Sequence, residues 1–354
     1  MDTVICGLQQ VGIGVTDARK AYNWYINAFG VTFMACDAKG VAERMLPYTG
    51  NKPRPRRAIL AVNVKGGGGF EVWEPKNEIH PAPELTLGDL GINVCRVKTD
   101  NIIKALNHFN GLEGATVLGT VAEAPDGQKH FFITDPYGNL FDIVEDGYVF
   151  CNTGFPTGGS DGAMIGVSDM DKSVDFYSKM LGLDKILCDE TAVFDDLAPV
   201  NGGKGCFRRV KLTSSSYGEG PLGAIYGPYT IELIQSLDRE PVKIFEGRWW
   251  GDPGFIQICL DIRNMEGIHQ RALALGHDFV CDGGEDFSMG DADGHFTYVV
   301  DPDDTMIEFV ETKRIPIAKK LGLVIDLTGK DPHKNLPSII LKALRFVKVK
   351  SLEA

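Results

Sequence analysis

The stretch "IGVTDARKAYNWYINAFG" (residues 13–30) is written a second time as "IGVSDMDKSVDFYSKMLG" (residues 165–182). Ile13, Gly14, Val15, Asp17, Lys20, Tyr25 and Gly30 recur as Ile165, Gly166, Val167, Asp169, Lys172, Tyr177 and Gly182. Each copy reads as a strand, an Asp that caps the next helix, a helix with apolar residues at i, i+3 and i+4, and a Gly that ends it. The run entering the first copy, "LQQVGIGVTD" (residues 8–17), puts Gln10 on one strand face with Gly12 and Gly14, while Val11, Ile13 and Val15 take the other.

A weaker repeat follows each of these. "LGINVCRVKTDNIIKALNHFN" (residues 90–110) aligns with "IQICLDIRNMEGIHQRALALG" (residues 256–276), and "FFITDPYGNLFDIVED" (residues 131–146) with "YVVDPDDTMIEFVET" (residues 298–312). Asp135-Pro136 and Asp301-Pro302 mark the same tight turn ahead of the same last strand. The chain thus reads as four modules of strand, helix and three strands, over about 5–76, 86–147, 160–237 and 253–312. "NTGFPTGGS" (residues 152–160) reads as an inter-domain linker, which divides the chain into domains at 1–150 and 151–312 and a tail at 313–354. The helix of a βαβββ module covers one sheet face and leaves the other bare, so modules must pair to enclose a shared interior. The expected fold class is α+β, with two such barrels.

The bulk properties agree with a globular chain. Its 354 residues are 44% hydrophobic and 24% charged, enough for more than one core. No run approaches the roughly 18 apolar residues of a membrane helix, and no charged-then-apolar leader opens the chain, so the expected location is cytoplasmic, with no integral membrane segment. The eight cysteines are scattered without a CxxC pair, which argues against a disulfide framework or a structural zinc site. A net charge of −12 disfavours nucleic acid as a partner.

The repeated opening and the Asp-Pro turn followed by an acid-bearing strand resemble the vicinal oxygen chelate superfamily, which includes glyoxalase I, methylmalonyl-CoA epimerase, extradiol dioxygenases and the bleomycin-resistance proteins. The resemblance covers residues 5–312 and implies a four-module fused form. It also implies one divalent metal held inside a barrel by first-strand and last-strand residues.

The last-strand carboxylates are Glu71, Asp142, Glu232 and Glu308, each flanked by apolar residues that would pack under the helices and aim the acid inward. The first-strand positions are read as Gln10, Gly91, Gly162 and Gln257. Pairing neighbouring modules leaves a broken set in each barrel. Pairing one with four and two with three, as in the fused-chain glyoxalases this architecture resembles, collects Gln10, Glu71, Gln257 and Glu308 in one, and this arrangement is favoured. The glycines beside Gln10 then read as clearance for a ligand.

An all-oxygen shell of two amides and two carboxylates suits Zn, Mn, Ni, Fe(II) or Mg better than soft-metal chemistry. The resemblance implies that Glu71 or Glu308 acts as the catalytic base in carbonyl or enediolate chemistry on a small oxygenated substrate, as in a lyase, isomerase or epimerase. The alternatives are a non-catalytic small-molecule binder and, given a histidine from another strand, an extradiol-type dioxygenase. "EGRWWGDPGF" (residues 246–255) places Arg248, Trp249 and Trp250 at a barrel mouth, with Arg248 and Trp249 as substrate-binding candidates and His295 as a third. The tail "NLPSIILKALRFVKVK" (residues 335–350) reads as a basic amphipathic helix starting at Pro337, with Ile340, Leu341, Leu344 and Val347 as its apolar face. It is expected to dock on its own domain or on a second copy in a homo-oligomer.

Overall fold

A computed structural model of the protein describes residues 3–284, 287–289, 292–318 and 323–353. The first module comprises β1 (Val4–Gly14), α1 (Ala18–Phe29), β2 (Phe33–Ala42), β3 (Arg54–Val62) and β4 (Gly69–Pro75). The second has β5 (Gly91–Thr99), α2 (Ile102–Asn110), β6 (Thr116–Glu123), β7 (Lys129–Thr134) and β8 (Leu140–Glu145). In the third come β9 (Ser160–Gly166), α3 (Met170–Leu181), β10 (Lys185–Val193), β11 (Cys206–Thr213), the single turn α4 (Gly223–Tyr226) and β12 (Thr230–Ser236). The fourth runs through β13 (Gly254–Arg263), α5 (Met265–Ala274), β14 (Cys281–Asp282), β15 (Phe287–Met289), β16 (Ala292–Val300) and β17 (Met306–Ala318). In the tail are β18 (Leu323–Asp326) and α6 (Ser338–Ala343).

The repeated signature does the same local work in both copies. Asp17 and Asp169 are extended N-caps whose carboxylates accept from the backbone N–H of Lys20 and Lys172, at 3.0 and 3.2 Å. Gly30 and Gly182 end their helices in the left-handed region, at φ 64° and 67°, where a β-carbon is costly. A β-carbon at Gly14 would overlap the carbonyl oxygen of Asp252, and one at Gly166 that of Asp89. Both glycines are therefore kept by a close backbone approach that the fold imposes twice.

The sheets join modules from opposite ends of the chain. A ten-stranded sheet runs β14-β16-β17-β13-β1-β4-β3-β2, with β15 beside β16 and β18 beside β17. An eight-stranded sheet runs β10-β11-β12-β9-β5-β8-β7-β6. Modules one and four make the first barrel, with β1 antiparallel to β13; modules two and three make the second, with β5 antiparallel to β9. The division at residue 150 falls within neither barrel's outline, because each barrel takes one module from either side of it.

The two barrels share one apolar core. Phe29 of α1 packs on Phe70 of the first sheet and Phe141 of the second, with ring centroids 5.2 and 4.8 Å away. The Tyr25 hydroxyl donates to Asp135 across that boundary at 2.7 Å, and Tyr177 to Asp301 at 3.0 Å. The Asp-Pro turns legible in the sequence are thus where a helix of one barrel fastens to the other.

The tail folds back on its own chain. Helix α6 is only six residues long and has Pro337 as its N-cap. Leu341 and Leu344 are buried, whereas Ile340 and Val347 of the expected apolar face are exposed. Among the described residues no helix is long and apolar enough to cross a membrane.

Because each barrel needs both halves, residues 1–153 and 154–354 expressed separately should not give cooperatively unfolding monomers. Mixed during refolding, they should form a one-to-one complex in light-scattering chromatography. A stable monomeric half would contradict this assembly.

Candidate functional site

Strand pairing fixes which side chains meet inside each barrel. In the first, parallel register puts Glu71 of β4 opposite Gly12 of β1 and Glu308 of β17 opposite Cys259 of β13. Gln10 and Gln257 stand two residues earlier on β1 and β13, and all four side chains converge. The Gln10 Nε2 donates to Glu71 Oε2 at 3.2 Å and lies 3.5 Å from Glu308 Oε2. The Gln257 Nε2 reaches the same two oxygens at 3.3 and 3.4 Å. A β-carbon at Gly12 would overlap the Gln257 amide, so the space beside Gln10 makes room for its partner side chain, not for a ligand as the sequence first reads.

Electrostatically the quartet is short of positive charge. Burial pushes the Glu308 carboxyl up to about 8, Glu71 beside it adds to the rise, and contacts from Cys259, Tyr298 and Gln257 oppose it. Burial also raises Glu71, against the Trp73 indole and the Arg56 guanidinium. Both amide oxygens, Gln10 Oε1 and Gln257 Oε1, are buried without a hydrogen-bond partner. An orphaned amide oxygen costs about 1–3 kcal/mol, and a half-turn of each amide would aim it where the carboxylates already point. With both amides turned in this way, two carboxylates and two amide oxygens around one point would fit a hard or borderline divalent cation. Among the described residues no group of three or more His, Cys, Asp or Glu is placed to hold a metal, and half of this quartet is glutamine.

The second barrel fills the corresponding space with its own charges. Parallel register sets Asp142 opposite Arg96 and Glu232 opposite Met164. The first-strand position of module two is therefore Val94, not Gly91. Counting back seven residues from the helix caps Asp17, Asn101, Asp169 and Asn264 gives Gln10, Val94, Gly162 and Gln257. Gly162 offers no open half-site either, because at φ 142° its Cα face lies against the Thr230 carbonyl.

Arg96, two residues beyond Val94, donates to Glu232 and Gln128 and lies 3.8 Å from Asp142. Arg209 bonds Glu232 at 2.8 Å and Asp196 at 2.7 Å, and Lys211 bonds Asp126 at 2.8 Å. His130 sits between Asp142, at 2.8 Å, and Asp196, at 3.3 Å. Burial alone would raise Glu232, but Arg209, Lys211 and Arg96 hold it well below the usual carboxylate range. For His130 burial favours the neutral ring; Asp142 and Asp196 outweigh it and raise the imidazole to about 9.

The remaining candidates divide between two cavities. Three of the four, Gln10, Glu71 and Glu308, line a cavity of about 190 Å³ that His295 also lines, its Nε2 bonded to Asp282 at 2.7 Å. Arg248 and Trp249 face a different cleft, beside Phe255 and Asp304. Arg248 donates to the Ile244 and Pro253 carbonyls, holding its own loop, and Trp249 packs edge-on against His80 at 4.9 Å. Trp250 is the residue of that stretch that reaches the quartet's cavity, where its ring meets Trp73 at 4.5 Å. Arg56, stacked over Trp73 at 4.4 Å, lines it too. Sequence reasoning passed over Arg56; the alternation of β3, which sets it on the same face as Ala58 and Leu60, was the available signal.

No family model and no curated protein matches the sequence. Solved structures do match in shape. Glyoxalase I from Zea mays superposes with a TM-score of 0.55 at 15% identity, over 88% of this chain and 92% of that one. A Bacillus subtilis protein provisionally assigned as a dioxygenase gives 0.58 at 14% identity, over 87% and 85%. The chain has the vicinal oxygen chelate fold. It is the four-module, single-chain form, and at these identities the likeness is one of fold.

Removing Arg96 leaves Glu232 and Asp142 buried without that countercharge, so Arg96→Met should cost about 3–5 kcal/mol in denaturant unfolding. The His130 contribution has a defined pH window. Its folded value lies above the ordinary 6.5, so its stabilisation is complete below about pH 6.5 and disappears as pH rises through about 9. The difference in melting temperature between the wild type and His130→Asn should therefore shrink between pH 6 and 9.5.

Proposed function

We propose that the protein is a metal-dependent, glyoxalase-like enzyme that carries out carbonyl- or enediolate-centred proton transfer on a small oxygenated substrate, as a lyase, isomerase or epimerase does. The observation that carries this reading is the convergence of Gln10, Glu71, Gln257 and Glu308 with both amide oxygens left unpartnered. These four residues would hold the divalent ion. When bound, it polarises a substrate carbonyl and so acidifies the neighbouring C–H.

The protein's own groups supply the rest. Glu71 or Glu308 takes the proton from the carbon beside the carbonyl and returns it to the adjacent carbon, a transfer that costs little reorganisation inside a site closed to bulk water. Tyr298 and Cys259 contact the Glu308 carboxyl and fix its direction. Arg56 puts a positive charge beside Glu71, which favours the deprotonated acid and an enediolate oxygen alike. Among the described lining residues His295 is the one histidine, and Asp282 engages it at the mouth. The oxygen-activating set of two histidines and a carboxylate therefore has no support here.

Mn²⁺, Ni²⁺ or Zn²⁺ should raise the melting temperature of metal-stripped protein, by an amount equivalent to about 2.7 kcal/mol at a hundredfold excess over Kd. The double variant Glu71→Gln/Glu308→Gln should abolish the effect. In D₂O the loaded enzyme should exchange the carbon-bound protons of hydroxyacetone or 2-hydroxyacetophenone, and either single Gln variant should slow exchange by about 10²-fold or more. If no ion shifts the melting temperature and the variants bind ligand like the wild type, the non-catalytic binder replaces this reading.

A further inference from the structure

Gln10, Glu71 and Glu308 line the cavity together with a largely hydrocarbon wall of Phe33, Leu60, Val62, Ile225, Val310 and Leu344, into which Gln9 and Thr312 bring polar atoms. Two of these belong to neither module of the first barrel. Ile225 comes from α4, in the third module, and Leu344 follows α6 in the tail.

Helix α4 and the tail form one hydrogen-bonded cap. The Leu336 N–H donates to the Pro221 carbonyl at 3.0 Å, the Ala224 N–H to Asn335 Oδ1 at 2.7 Å, and Asn335 Nδ2 to the Gly218 carbonyl at 2.6 Å. Beneath them Phe33, Ile225, Leu341 and Leu344 pack in one buried cluster.

The other charged lining residues among those described, Glu43, Arg44, Asp293, His295 and Arg314, are exposed or half-buried, and the cations among them have local acceptors. Arg44 lies 3.4 Å from the Asp282 carbonyl, His295 bonds the Asp282 carboxylate at 2.7 Å, and Arg314 Nε is 3.1 Å from Asp293. Among the described residues the rim cations Arg44, His295 and Arg314 are each matched by an acceptor and stand beside Glu43 and Asp293, an arrangement that disfavours a phosphate or a polycarboxylate. A polar conjugate would lose its hydration against these walls without gaining partners.

We propose that the cavity selects a neutral molecule with an aromatic or branched hydrocarbon body, bound with its vicinal oxygens at the quartet and its body against Ile225 and Leu344. The cap, built from the other barrel and the tail, is then the specificity-determining element. The placement of the oxygenated head rests on the proposed function; the preference for the body does not.

A series of hydroxamic acids separates the two, because acetohydroxamic, benzohydroxamic and octanohydroxamic acid share one neutral, oxygen-chelating head. Calorimetric titration of the full-length protein, metal-stripped and Mn²⁺-loaded, should find the benzo member at least tenfold tighter than the aceto member in both forms, with the unbranched octano member between them. Ile225→Asp should erase that preference. Should that variant misfold, Leu344→Ala should weaken benzohydroxamic acid at least fivefold and leave acetohydroxamic acid unchanged. Equal affinities across the series, or a preference indifferent to the cap variant that folds, would overturn the inference. If Mn²⁺ tightens no member while the body preference persists, the inference stands and the metal reading falls.

Discussion

The antiparallel pairing of β1 with β13 is the constraint on which the rest of the molecule depends. It joins Val4–Gly14 to Gly254–Arg263, so the ladder at the centre of the first barrel closes a loop of most of the chain. The register is not a plain ladder: three irregularities interrupt it, between Ile5 and Gly7, Leu8 and Gln10, and Val11 and Ile13. Irregularities of this kind sharpen twist and re-aim side chains. They bring Gln10 and Gln257, from opposite ends of the sequence, onto the same two carboxylates, with Gly12 leaving room for the second amide. The outer parallel pairings then need only place one acid on each side.

The two barrels meet the same electrostatic problem in opposite ways. Both turn last-strand carboxylates inward, and an uncompensated buried carboxylate is costly. The second barrel compensates with protein: Arg96, Arg209, Lys211 and a charged His130 face Asp126, Asp142, Asp196 and Glu232. The first faces two carboxylates with amides that contribute N–H groups and leave their oxygens idle. A stability-driven interior would replace such a set with packed hydrocarbon at little loss. Such a set beside a cavity, with one acid pushed up to about 8, is what the proposed function draws on.

The repeats made most of this legible from sequence. Caps, helices and last strands announce themselves locally, so the four modules and the inward acids follow from spacing and duplication, while the joining of Gln10 with Gln257 is favoured by the resemblance to fused-chain glyoxalases and by the quartet it completes. What escaped was set by contacts between distant segments. The module-two position was misread as Gly91 because the weaker repeat was matched by its strand residues; matching it by its helix caps yields Val94, and with it Arg96 as the plug of the second barrel. Arg248 and Trp249 have the chemistry of a binding site, but the Arg54–Asp252 ion pair fixes their loop so that Trp250 turns to the cavity instead. No local pattern announces that loop direction, or a cap formed by pieces of a different module and the tail.

Comparing the copies shows which residues serve the architecture. Those that recur, Gly14 with Gly166, Asp17 with Asp169 and Tyr25 with Tyr177, admit a close backbone, cap a helix or fasten one barrel to the other. Those at the interior first-strand positions do not recur: Gln10, Val94, Gly162 and Gln257 share a location in the fold and no chemistry common to all four. The copies thus share a scaffold while one interior holds fixed ion pairs and the other a pair of amides. With the second barrel committed to structure, its α4 turn was free to reach across and wall the first barrel's cavity, where Ile225 now stands. The second barrel thus carries ion pairs in its own interior and contributes apolar wall to the cavity of the first.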